Sequence, residues 1–69
     1  MNTFPTRLKE AMALRNARLT DLANETKIHK GTISNYLSGK YQPKGNNTLL
    51  IAKALNVNPL WLMGLEDKA

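Results

Sequence analysis

Sixty-nine residues, 42% of them apolar and four of them glycine, suit one small domain with its own core and not a disordered tail. With no cysteine and one histidine, the chain lacks the makings of a disulfide, a thiolate metal site or a zinc site, so no metal or cofactor is expected. The formal charge is +5, and no acid falls between Glu25 and Glu66 while Lys27, Lys30, Lys40, Lys44 and Lys53 all do, a one-sign stretch that suits a polyanionic partner.

Turn signals divide the chain into five helical segments, and no segment alternates with period two, so the predicted class is all-α. Pro5 suits the first turn of a helix with Thr3 or Phe4 just outside it, and Leu8, Ala11, Met12 and Arg15 then recur at helical spacing up to Asn16. A second helix covers about Arg18 to Thr26, with Leu19, Leu22, Ala23 and Thr26 on one face. A third runs from about Lys30 to Ser38 and stops at Gly39. The stretch Lys40 to Gly45, with Pro43, is a loop. Asn46, Asn47 or Thr48 caps a fourth helix that ends near Asn56. Asn58 and Pro59 open a short fifth helix that ends at Gly64.

The apolar positions of these helices give a core of Leu8, Met12, Leu22, Ala23, Ile28, Ile33, Leu37, Ile51, Ala54, Leu55, Val57, Trp61 and Leu62. The richest apolar run, Leu49 to Leu55, is broken by Lys53 and falls well short of the roughly 20 residues of a membrane span. The N-terminus has no basic segment followed by an apolar one, so no secretory signal is read there and a cytoplasmic protein is expected.

The third helix carries the functional argument. At 100° per residue, Thr32, Ile33, Tyr36 and Leu37 share one arc, and Lys30, Gly31, Ser34, Asn35 and Ser38 share the other. The second arc holds only small, polar or basic side chains. These approach base edges in a major groove: Asn pairs with adenine in two places, Lys donates to guanine, and Ser adapts to either. Glycine lets backbone come close to the DNA.

From Leu22 to Leu37 the chain reads LANETKIHKGTISNYL, followed later by Leu55-Asn56-Val57-Asn58-Pro59 and Trp61-Leu62-Met63-Gly64. In this order and spacing it resembles the lambda-repressor-like, Cro/CI-type helix-turn-helix family, over about residues 6–65. The resemblance implies a five-helix DNA-binding domain and a transcriptional repressor of phage or bacterial origin. It implies that the third helix enters the major groove, with base contacts from Lys30, Gly31, Ser34 and Asn35 and a lesser one from Thr32. It implies phosphate contacts from Arg18, His29, Ser38, Lys40, Lys44, Asn46 and Asn47, with Lys27 in the turn beside them. The partner implied is an operator in double-stranded DNA, an inverted repeat bound by a homodimer in the bacterial cytoplasm or nucleoid.

Three positions depart from the family pattern. Arg18 and Leu19 stand where Ser or Thr followed by Gln is common, and Leu19 has no hydrogen bond to offer a phosphate. Lys27 stands where the motif's turn usually has glycine, so either Lys27 is left-handed or the turn differs. His29 replaces a small hydroxyl cap; neutral, it accepts from a backbone N–H, and charged, it contacts phosphate.

Other chemistry finds less support. Asp21, His29 and Ser34 are the residue types of a hydrolase triad, but His29 and Ser34 lie on or beside one short helix with no oxyanion-hole signature, so no enzyme is expected. Nothing points to a small-molecule ligand. A protein-interaction module of the same fold, antitoxin-like or an antirepressor partner, is the alternative, since fold alone does not fix function. Leu49, Leu60, Met63 and Leu65 are apolar residues that one small core does not need, and they are candidate dimer contacts. Residues 1–65 are expected to form the DNA-binding domain and 66–69 a polar tail or the start of a linker.

Overall fold

Five helices succeed one another in the computed structural model, which describes residues 3–69: α1 (Phe4–Leu14), α2 (Leu19–Thr26), α3 (Lys30–Ser38), α4 (Gly45–Leu55) and α5 (Pro59–Leu62). No strand occurs among the described residues, as the missing period-two pattern predicts. Helix α1 packs on α3 and α5, α2 on α3 and α4, and α4 on α5.

Local chemistry explains most of the boundaries. Asn16, Lys27 and Asn56 are the described non-glycine residues at positive φ, and each stands at or just past the end of a helix. Lys27, at φ 64°, is the left-handed residue that closes α2, so the turn keeps its geometry without glycine. At the other end of α2 the Arg18 N–H donates to the Asp21 carboxylate at 3.2 Å, half of a capping box. Thr26, buried at the end of α2, donates its hydroxyl to the Leu22 carbonyl at 2.7 Å and accepts the Ile28 N–H at 3.2 Å. Gly39 ends α3 at φ 82°, and the Lys40 N–H donates back to the Asn35 carbonyl at 3.0 Å.

Helix α1 begins at Phe4 with Thr3 as its cap, the first of the two flanking residues expected. Two boundaries differ from expectation. Helix α4 starts at Gly45, with Lys44 as its cap, and is not capped by Asn46, Asn47 or Thr48. Thr48 serves that helix start from within: it is buried and its hydroxyl donates to the Lys44 carbonyl at 3.1 Å. Helix α5 ends at Leu62, and the chain reaches Gly64 through a turn.

The core contains Leu8, Met12, Leu22, Ile28, Ile33, Ile51, Leu55, Val57, Trp61 and Leu62, as the helical spacing predicts. Ala23, Leu37 and Ala54 sit at its margin, while Phe4, Ala11, Tyr36 and Ala52 join it. Two arginines bind the frame together. Arg15 donates from Nε to the Leu55 carbonyl at 2.8 Å and from Nη2 to the Asn56 carbonyl at 3.1 Å, which satisfies the C-terminus of α4. Arg7 lies over the Trp61 ring and donates to the Trp61 and Glu66 carbonyls, which ties α1 to the end of the chain. These two cations serve the fold. The lysines between Glu25 and Glu66 make no ion pair among the described residues, which leaves their charge on the surface.

Candidate nucleic-acid interface

Helix α3 is held from behind by Ile33 and Tyr36, both buried, and by Leu37 at the core margin. That anchorage leaves Lys30, Gly31, Ser34 and Ser38 exposed, with Asn35 and Thr32 half-buried at the edges of the exposed strip. The side-chain amide of Asn35 has no hydrogen-bond partner among the described residues, while its backbone carbonyl takes the Ser38 hydroxyl at 3.0 Å. The strip contains no carboxylate. Its functional groups are one ammonium, hydroxyls, an amide and a patch of bare backbone at Gly31.

The N-terminal end of α3 resolves the ambiguity at His29. Its Nδ1 accepts the Gly31 N–H at 3.0 Å, so the imidazole is the helix cap. An imidazole that accepts at Nδ1 carries its proton on Nε2, and it caps and offers an N–H donor at once. A Cβ at Gly31 would lie 3.2 Å from that Nδ1 and 3.4 Å from Cε1, so the cap and the glycine are matched to one another. Lys27, Lys30 and His29 line one groove with Thr20 and Asn24 of α2.

The C-terminal end of α3 leads into the loop between residues 39 and 44. Here Ser38 is partly committed to the helix end, donating to the Asn35 carbonyl and accepting the Lys40 N–H at 3.4 Å. The Lys40 ammonium lies 5.6 Å from the centroid of the Tyr41 ring. A cleft of about 500 Å³ opens between this loop and α4, lined by Thr32, Tyr36, Tyr41, Gln42, Lys44, Asn46 and Asn47. Asn47 is half-buried, and its Nδ2 donates to the Tyr36 hydroxyl at 3.0 Å. Arg18 is exposed at the start of α2.

The fold thus gathers three of the predicted groups, the α3 strip, the Lys27–His29 end, and the Lys40–Asn47 end, around one helix. Tyr41 and Gln42 line the cleft and went unread in the sequence, where the loop offered no periodicity to place them. Tyr36 was assigned to packing by its arc, and the arc says nothing of where its hydroxyl points. Of the four candidate dimer residues, Leu49, Leu60, Met63 and Leu65 are all exposed, Leu65 at 73%. The Leu65 N–H donates to the Leu60 carbonyl at 2.8 Å, so those two leucines are neighbours.

No described helix is long and apolar enough to cross a membrane, and no described cluster of His, Cys, Asp or Glu has the makings of a metal site. Comparison with known proteins places the geometry in a family. A helix-turn-helix family profile matches residues 8–62. The chain is 41% identical over 61 residues to an HTH-type transcriptional regulator, PrtR, of Pseudomonas aeruginosa. The match covers 88% of this chain and 23% of that relative, so the chain spans about a quarter of the relative's length. With α2 and α3 as the motif's two helices and Lys27 in its turn, the chain belongs to the Cro/CI-type helix-turn-helix family.

Proposed function

We propose that this chain is a sequence-specific binder of double-stranded DNA and acts in a transcriptional repressor of phage or bacterial origin. The observation that carries the reading is the exposed strip of α3. It is small, polar and free of carboxylates, it is rigidly backed by the core, and basic residues flank it at both ends. In this reading Lys30, Gly31, Ser34 and Asn35 meet base edges, and Thr32 adds a methyl and a hydroxyl at the rim. Arg18, Lys27, His29, Ser38, Lys40, Lys44, Asn46 and Asn47 take phosphates and set the register. The Nε2–H of neutral His29 is a donor of the right kind for that task.

The operator is an inverted repeat bound by two copies, with Leu49, Leu60, Met63 and Leu65 in the contact between them. Exposed leucines on adjacent backbone, and a relative whose name describes a transcriptional regulator, support this. Selection of bound sites from random duplex DNA tests it. The expected result is one enriched, palindromic sequence with half-sites about one helical turn apart. A pool with no enrichment over the starting library would sink sequence-specific reading.

A further inference from the structure

Tyr36 is 5% exposed, and its ring meets Phe4 edge-on with centroids 6.1 Å apart. The ring alone accounts for its burial. Its hydroxyl, however, leaves the core at the first turn of α4 and accepts the Asn47 amide at 3.0 Å. Helices α3 and α4 are not a closely packed pair, since α3 rests on α1 and α2 while α4 rests on α2 and α5. Among the described residues no other hydrogen bond joins α3 to α4. The loop between them contains one glycine-capped turn and exposed residues, which fix their relative position only weakly.

We propose that Tyr36 is a positioning residue for DNA binding: its hydroxyl holds Asn47, and with it the start of α4, in fixed register with the exposed strip of α3. The inference rests on the DNA-binding reading above. The cleft beside this hydrogen bond is lined by Thr32, Tyr41, Gln42, Lys44 and Asn46, and it contains one ammonium, amide side chains and no carboxylate. A backbone phosphate suits such a lining. A duplex presents its phosphates at fixed distances from its base edges, so a protein that touches both needs the two contact sets held at a fixed separation. The Tyr36–Asn47 bond supplies that constraint from within the core. A phenylalanine there would keep the ring and lose the constraint.

The test is a double-mutant cycle in the whole chain with Tyr36→Phe, Asn47→Ala and the pair, read as affinity for a duplex that carries the sequence enriched by the selection above, where base and phosphate contacts form together. A neutral hydrogen bond of this kind corresponds to about a 3- to 10-fold change, so Tyr36→Phe should weaken binding by that factor. Asn47→Ala should weaken it at least as much, and the double variant should match Asn47→Ala alone. Thermal melts run in parallel separate this from a role in stability. A small loss of stability leaves nearly every molecule folded at the assay temperature, and folding alone then does not move the affinity. Unchanged binding by Tyr36→Phe, or losses that add in the double variant, would overturn the proposal. A wild-type chain that ignores the duplex altogether would instead sink the DNA-binding reading on which it stands.

Discussion

At the scale of single residues, the proposed reading and gripping roles separate by what each side chain offers. Asn35 presents an amide with no hydrogen-bond partner among the described residues, a paired donor and acceptor on a helix backed by the core. Asn35→Ala should therefore cost about 1–3 kcal/mol on the selected site and relax specificity at one position. Lys40 is a charge on the flanking loop, with the Tyr41 ring beside it. Lys40→Ala should weaken selected and scrambled duplexes about equally, and titrations against both distinguish the two roles. The reverse pattern would exchange their assignments. Gly31 offers a third probe. Ala is the better helix former by up to about 1 kcal/mol. Its methyl would crowd the His29 imidazole at 3.2 Å, in the cap whose loss costs about as much. Stability of Gly31→Ala should thus change little while operator affinity falls, because the methyl stands where the proposed reading brings the backbone close to the DNA. A melt and a binding isotherm on one sample check both halves.

At the scale of elements, the turn between α2 and α3 carries an unusual residue at a position that prefers glycine. Lys27 holds φ 64° and is exposed, and a left-handed backbone costs a residue with a Cβ roughly 1–2 kcal/mol. Lys27→Gly should raise stability by about 1 kcal/mol, or about 4–8 °C in melting temperature for a domain of this size. If Lys27 also meets a phosphate, the same change should reduce the slope of log affinity against log salt by about one. A gain in stability with an unchanged slope would leave Lys27 a turn residue only. The case shows which features are legible in sequence. Bounds set by local chemistry were: Gly39 after α3, the left-handed Asn16 and Asn56, and Asn58 with Pro59 before α5 all follow from side chain and spacing. The start of α4 did not, because Thr48 looks like a cap from outside and acts from inside, and only burial distinguishes the two. The polar strip of α3 was legible because a helical wheel fixes direction. The cleft was not, since it is made by a loop and by a hydroxyl that crosses between two helices distant in contact.

At the scale of the whole molecule, size limits what one copy does. The longest dimension is 27 Å, less than the roughly 34 Å between successive major-groove faces of a duplex. In the proposed reading one copy therefore covers one groove segment, and a site two segments long takes two copies. Each copy that neutralises about five phosphates gives log affinity a slope near −4 to −5 against log salt, and a nearly flat slope would remove the electrostatic part of the reading. The joint between copies is a separate question with its own measurement. Leu60 and Leu65 are joined by a backbone hydrogen bond and are 45% and 73% exposed. Replacing Leu65 with Asp should leave the domain folded, because the residue contributes nothing to the interior. Binding to a duplex with one half-site should stay the same. Binding to a duplex with two should lose the linkage between copies, a fall of about 10-fold or more. Equal losses on both duplexes would move Leu65 from the joint to the DNA face. No loss on either would place the contact elsewhere, with Leu49 and its exposed flank of α4 the next surface to alter.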